Sequence, residues 1–143
     1  MSKTKYYIGG TFDCLHSGHI NLFRNVRNSD FEGEVIVAVN RDEFAERYKR
    51  KPIIPLHERI AVLRAIKHID TVVVNEGDED SSITIKKIKP NYIVHGDDWT
   101  GESLMKQMGL TEEFLKKYNI KFKYFPYTEG ISTSTIVNEI LHK

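Results

Sequence analysis

Short runs of β-branched and apolar residues alternate along this chain with segments in which apolar positions recur at helical spacing. The runs Lys5–Gly9, Glu34–Val39, Thr71–Asn75, Asn91–His95 and Lys121–Phe125 predict strands. The second and third are nearly unbroken Val and Ile, the pattern of strands covered on both faces. Helices are predicted at Gly18–Asn28, Leu56–His68, Ser82–Lys87, Leu104–Tyr118 and Thr133–His142. In the segment Leu56–His68, Leu56, Ile60, Leu63 and Ile66 share one face and Pro55 suits the start. Ser132 is placed to cap the last helix, whose apolar stripe is Ile136, Val137, Ile140 and Leu141. Five βα units in succession, joined by right-handed crossovers, predict an α/β fold. We expect one domain over residues 1–143, a Rossmann-like, doubly wound, five-stranded parallel sheet with helices on both faces. Ligands of such sheets bind beyond the carboxyl ends of the strands, so the chemistry is sought in the stretches 9–19, 40–55, 96–101 and 126–134.

Composition narrows the partners. Of 143 residues, 40% are apolar and 29% charged, ordinary values for one globular unit. Lys plus Arg (21) against Asp plus Glu (20) leaves a net charge of +1, without the basic excess that binds nucleic acid or anionic membrane. Any anion site must be local. The longest apolar run, Val35 to Val39, is five residues where a bilayer crossing needs roughly twenty. The polar start Met1-Ser2-Lys3-Thr4-Lys5 does not read as a secretory signal, and a single cysteine, Cys14, allows no internal disulfide. A cytoplasmic address is expected.

The stretch Gly9-Gly10-Thr11-Phe12-Asp13-Cys14-Leu15-His16-Ser17-Gly18-His19 runs from the first strand into the first helix. Its glycines let backbone approach a ligand, yet it is neither a Walker A loop nor a dinucleotide fingerprint. His19 falls among the free N–H groups of a helix start, where anions are favoured, and His16 lies three residues before it. Two imidazoles at that spacing can follow negative charge as it builds on a phosphoryl oxygen. The bland reading of a loop histidine as polar surface is outweighed by the pair. Zinc ligation is the rival, but no cysteine or third histidine stands at the usual spacing. A Cys14–His16 nucleophile pair is disfavoured because neighbouring turn residues point apart, and Cys14 reads as a small buried side chain.

At these residues the chain resembles the nucleotidyltransferase superfamily that carries a His-x-Gly-His motif. Gly96-Asp97-Asp98-Trp99 and Thr128-Glu129-Gly130-Ile131-Ser132-Thr133 extend the resemblance to the glycerol-3-phosphate cytidylyltransferase family over nearly the whole length. The second of these pieces points to cytidylyl rather than adenylyl transfer. The resemblance implies nucleotide contacts from Gly9, Gly10, Thr11, Phe12, His16, His19, Asp98, Thr128, Gly130, Ile131, Ser132 and Thr133. It implies catalytic roles for His16, His19, Arg59 and a lysine of the basic stretch Arg47-Tyr48-Lys49-Arg50-Lys51, Lys49 or Lys51 with Arg50 as substitute. Asp70, Trp99 and Tyr127 are expected on the acceptor side, Mg²⁺ is expected mainly on the nucleotide phosphates with Asp13 as its protein contact, and a homodimer is implied.

Each piece also has its own physics. Ser132 and Thr133 open the last helix and offer a second anion cradle, although Ser132 as a mere N-cap explains the spacing equally well. Asp97 and Asp98 follow a buried strand, where carboxylates can hold Mg²⁺, a ribose hydroxyl or a base amino group, or be solvated turn residues. The basic stretch precedes Pro52, which favours an extended loop, and could clamp departing pyrophosphate. Tyr127 stands where the family has arginine, which leaves the acceptor open among phosphorylated glycerol, ribitol, choline, ethanolamine and amino-acid-derived alcohols. The segment 100–118 is longer than that family leads one to expect, and Met105, Met108 and Phe114 could shape the acceptor pocket or a subunit contact, or simply be core. The expected reaction is attack of an ionised acceptor phosphate on the α-phosphorus of CTP, which needs no general base. An adenylyltransferase of the same superfamily and a non-catalytic nucleotide-sensing module are the alternatives.

Overall fold

The computed structural model describes residues 3–98 and 101–143. Five strands among them, β1 (Lys5–Gly10), β2 (Glu34–Val39), β3 (Thr71–Val74), β4 (Tyr92–Gly96) and β5 (Lys121–Phe125), form one sheet in the order β3-β2-β1-β4-β5. Every neighbouring pair is parallel, from Lys5↔Glu34 to Gly10↔Val39 at the centre and from Tyr92↔Lys121 to Gly96↔Phe125 at one edge. The carboxyl ends therefore lie along one rim.

The alternation inside the strands sorts side chains to two cores. From β1, Tyr6 and Ile8 join Phe23, Val26, Val35, Val37 and Leu63 on one face, while Tyr7 joins Ala38, Ile85, Ile93 and Leu115 on the other. Val35–Val39 are at most 4% exposed, as their unbroken apolar run required. The first core is covered by α1 (Ser17–Ser29) and α3 (Leu56–Arg64), the second by α4 (Ser82–Ile88), α5 (Gly101–Met108) and α6 (Glu112–Lys117). Phe23 and Val26 of α1 are fully buried, each contributing about 2 kcal/mol of transfer free energy. The remaining helices are α2 (Asp42–Tyr48) and α7 (Thr133–Leu141).

Three elements differ from the sequence expectation. The predicted helix 104–118 is two helices. Gly109 adopts φ 70°, its N–H donates to Lys106 O (3.2 Å) and the Leu110 N–H to Met105 O (2.8 Å), a Schellman ending, after which Thr111 caps α6 by accepting from Phe114 N. The helix from Leu56 stops at Arg64, where Ala65, Ile66 and Ile69 switch to carbonyls three residues back and tighten the chain into β3. The stretch read as a loop after β2 contains α2, which buries Phe44 and Ala45 and stacks Tyr48 on Phe44 at 5.8 Å.

Candidate active site

The β1–α1 loop crosses the rim in a strained path. Phe12 (φ 56°) and Cys14 (φ 48°) both occupy the left-handed region. Burial of Phe12 against Phe23 and the edge of His19 holds the turn in place. His16 is the N-cap of α1, its Nδ1 accepting from the Gly18 N–H at 3.1 Å, while His19 Nδ1 accepts from the His16 N–H at 3.1 Å. This is a capping box built from imidazoles. The rings lie 4.0 Å apart between centroids. Gly18 lies against the first of them, where an added Cβ would stand 2.8 Å from the His16 ring.

The same bonds fix the hydrogen positions. With both Nδ1 atoms accepting, the neutral rings carry hydrogen on Nε2. Burial lowers the pKa of His16, and burial together with neighbouring His16 pushes that of His19 down to about 4. Both are neutral donors at pH 7.

α7 approaches from the other end of the chain. Ser132 caps it, its Oγ accepting from Thr135 N at 3.0 Å, so the capping role is real. The Thr133 hydroxyl donates to Asp13 O at 2.7 Å, and Asn21 of α1 donates to the Thr128 hydroxyl at 3.1 Å. These bonds draw the two helix starts together around a cavity of about 260 Å³, lined by His16, His19, Lys49, Tyr127, Ser132 and Thr133 among others. Gly18, Thr128 and Ile131 also border it. Gly130, at φ 84°, turns the chain into α7. A second cavity of about 240 Å³ adjoins, lined by Gly9–Asp13, Asn40, Arg50, His95 and Gln107, with Lys49 and Thr133 on the boundary of both.

The basic stretch divides. Lys49 borders both cavities, Arg50 borders the second, and Lys51 is exposed and absent from the lining of either. The Nη1 of Arg50 reaches Ser134 Oγ at 3.5 Å and its Nε is buried with no hydrogen-bond partner, which leaves donor capacity beside the cleft.

Three expected contacts take other roles. Arg59 is 1% exposed and donates to Ile54 O (2.9 Å), Thr11 O (2.6 Å), Asn40 O (2.9 Å) and the Asp42 carboxylate. Four of its five N–H groups are spent on protein and the side chain borders neither cavity, so in this structure Arg59 holds the loops together. Asp13 is buried, and its two oxygens accept from Ile53 N (2.8 Å) and Ile54 N (3.0 Å), tethering the loop after β2. That donor set does not fit a direct Mg²⁺ ligand. Asp70 accepts from Val35 N (2.8 Å) and pairs with Arg27 just before β3, at the rim opposite the cavities, so it does not belong to the acceptor side.

Of the remaining expectations, Asp98 lies beyond β4 with Oδ1 3.9 Å from His95 Nδ1, and Asp97 accepts from Tyr127 N at 2.9 Å. Trp99 lies outside the described residues. Sequence reading missed Asn40, Tyr48, His95 and Gln107 as lining residues. Asn40 and His95 stand at the carboxyl ends of β2 and β4, where the strand-end rule would have found them.

Known proteins resemble this chain over nearly its whole length. The cytidylyltransferase-like family matches over residues 7–139. An FAD synthase of Pyrococcus abyssi is 35% identical over 139 residues, 96% of this chain and 93% of that protein. A glycerol-3-phosphate cytidylyltransferase of Staphylococcus aureus is 33% identical over 134 residues, 94% of this chain and 92% of that protein. Among solved structures, a lipopolysaccharide core biosynthesis protein of Thermoplasma volcanium is similar with TM-score 0.69 and 25% identity, over 90% of this chain and all of that one.

Proposed function

The chain belongs to the cytidylyltransferase-like family of nucleotidyltransferases, and from that premise we propose that it transfers CMP from CTP to the phosphate of a small alcohol. An acceptor phosphate oxygen attacks the α-phosphorus, the bond to the β-phosphate bridging oxygen breaks, and the products are a CDP-alcohol and pyrophosphate. The acceptor is ionised near neutral pH, with a second phosphate pKa of about 6, so no general base is required.

One observation carries the reading: His19 and Ser132, 113 positions apart in sequence, border a single cavity. The neutral imidazoles would offer Nε2–H donors to the α-phosphoryl oxygens as charge builds there. Lys49 and Arg50, which border the cavities, are our candidates to meet the leaving pyrophosphate, ahead of exposed Lys51. Any Mg²⁺ would travel on the phosphates of the nucleotide. Thr128–Thr133 supports CTP, through its likeness to the cytidylyl signature and its position around the cavity.

The FAD synthase likeness favours adenylyl transfer as a second reading. Pyrophosphate release and product mass, measured with CTP and ATP side by side over a panel of alcohol phosphates and FMN, decide between them. A CDP-alcohol is expected; product from ATP alone would replace the first reading by the second.

A further inference from the structure

α2 is too short to hold itself in place. It has 7 residues, below the roughly 12 at which an isolated helix becomes marginal in water, and its buried side chains are Phe44 and Ala45. Polar ties to the turn between β3 and α4 add to that hold, and they converge on one residue. The Asp78 carboxylate accepts from two arms of the Arg41 fork, Nε at 3.0 Å and Nη2, and from Arg47 Nη2 at 3.2 Å. Arg41 is the N-cap of α2 and Arg47 stands in its last turn, so a single carboxylate, 13% exposed, grips both ends of the helix. Glu79 takes the other side of Arg47, accepting from Nε at 3.1 Å and Nη2 at 2.9 Å. Lone surface ion pairs contribute little, whereas a fork held bidentately within a network is the arrangement that does. Arg59 also holds Asp42 in the first turn and Gln107 donates to the Tyr48 hydroxyl in the last, but each of these acts on one end, and Asp78 joins the two.

The turn that carries Asp78 is itself fixed to the sheet. Its backbone is left-handed (φ 51°), and its carbonyl accepts from Asn75 Nδ2 at 3.3 Å. Asn75 follows β3 and is 3% exposed; its N–H donates to Val39 O at 2.9 Å, its Nδ2 also reaches Asn40 Oδ1 at 3.1 Å, and its Oδ1 accepts from the Thr84 hydroxyl of α4 at 3.0 Å. The carboxylate therefore has a rigid base. At the end of α2, the N–H groups of Lys49 and Arg50 both donate to Ala45 O, at 3.0 and 3.1 Å, so the two cations leave directly from the last helical turn. The chain is next tied at Ile53 and Ile54, to Asp13. Lys49 and Arg50 thus stand on a short arch beside the cavities, with Asp78 fixing one foot and Asp13 the other.

Resting on the reading of Lys49 and Arg50 as partners of the leaving pyrophosphate, we propose that Asp78, with Glu79 beside it, is their positioning residue: by clamping Arg41 and Arg47 it sets where α2 ends and so where the two cations stand. Asp78 borders neither of the cavities that Lys49 lines, and its effect reaches the phosphates through the pair.

The test is titration calorimetry of the full chain with pyrophosphate and with CMP, which lacks the phosphates the pair would meet. Asp78→Asn keeps the size and tolerates the left-handed backbone while removing the charge. Glu79→Gln, at a position 67% exposed, loosens the same clamp without touching a buried group. By Coulomb attraction alone, removing a negative charge tightens the binding of an anion, so a loss of affinity carries the sign of positioning. Pyrophosphate should bind on the order of tenfold more weakly to Asp78→Asn and about threefold more weakly to Glu79→Gln, as for the weakening of one charge-assisted contact, with CMP affinity unchanged. In a chain already carrying Lys49→Ala and Arg50→Ala, Asp78→Asn should add no further loss. Equal or tighter pyrophosphate binding in both variants, a matching loss for CMP, or a full further loss in the Lys49→Ala, Arg50→Ala background overturns the positioning role while leaving the assignment of the pair standing. Wild-type pyrophosphate affinity in the Lys49→Ala, Arg50→Ala chain overturns that assignment, and the positioning role with it.

Discussion

His19 shows how one side chain joins stability to chemistry. Its folded pKa, near 4, lies below the ordinary 6.5 because the ring is buried beside His16. Between those values the unfolded chain binds the proton and the folded chain does not, so His19 makes stability fall as pH drops from about 6.5 towards 4, with its contribution complete above that window. Protonation also removes the lone pair that accepts the His16 N–H. Urea unfolding of the wild type and His19→Gln at several pH values should show a smaller acid loss in the variant; parallel curves would dissociate the ring from that limb. At pH 7, His16→Ala and His19→Ala should each reduce turnover on the order of a hundredfold with the fold retained, and near-normal kcat in both would remove the donors from the mechanism. Arg59 behaves differently. Removing its guanidinium leaves three carbonyls without their donor, while the part-exposed Asp42 carboxylate keeps water and the Leu56 N–H, so Arg59→Ala should lower unfolding free energy by about 3 kcal/mol, read by denaturant midpoint. A stable variant with only a raised KM would return Arg59 to substrate binding.

At the scale of elements, the turn between α5 and α6 depends on Gly109. Its backbone is left-handed (φ 70°), and a Cβ there would meet the Glu79 carbonyl oxygen at 2.8 Å, whereas Gly101, also left-handed (φ 65°), faces open space. Gly109→Ala should therefore cost more than the roughly 1 kcal/mol expected at Gly101, by about a further 1–2 kcal/mol of overpacking. Equal thermal shifts for the two would refute the steric part. This turn also marks the limit of sequence reading. Leu104, Leu115 and Tyr118 keep helical spacing across Gly109, so periodicity alone joined what the glycine and Thr111 separate. The continuous apolar run of β2 and the imidazole pair at the start of α1 were legible because each is local in sequence. The roles of Arg59, Asp13 and Asp70 were not, since each is set by partners from distant segments: Thr11 and Asn40 for Arg59, residues 53 and 54 for Asp13, Arg27 and Val35 for Asp70. α2 was hidden by its charges, although Phe44 and Tyr48 stand one turn apart.

For the molecule as a whole, the longest-range of the ties across the cleft is one hydroxyl that spans 120 positions of chain, from Thr133 to the Asp13 carbonyl. Thr133→Val keeps the side-chain shape and removes that donor. We expect a loss of about 1 kcal/mol in stability and a rise in KM for the nucleotide of about tenfold, because Ser132 and the α7 start lose their register against His19. An unchanged KM would mean that the Asn21–Thr128 bond and helix packing, through half-buried Ile136 and buried Val137, hold the two starts together without it.

Left-handed non-glycine residues are scattered singly around the described chain at Asp78, Lys89 and Asn119, but Phe12 and Cys14 crowd two of them into one bend. An engineer seeking heat tolerance would begin there, because Cys14→Gly relieves about 1 kcal/mol of torsional conflict. The relaxed bend would also wander more, and the gain in melting temperature should arrive with slower turnover.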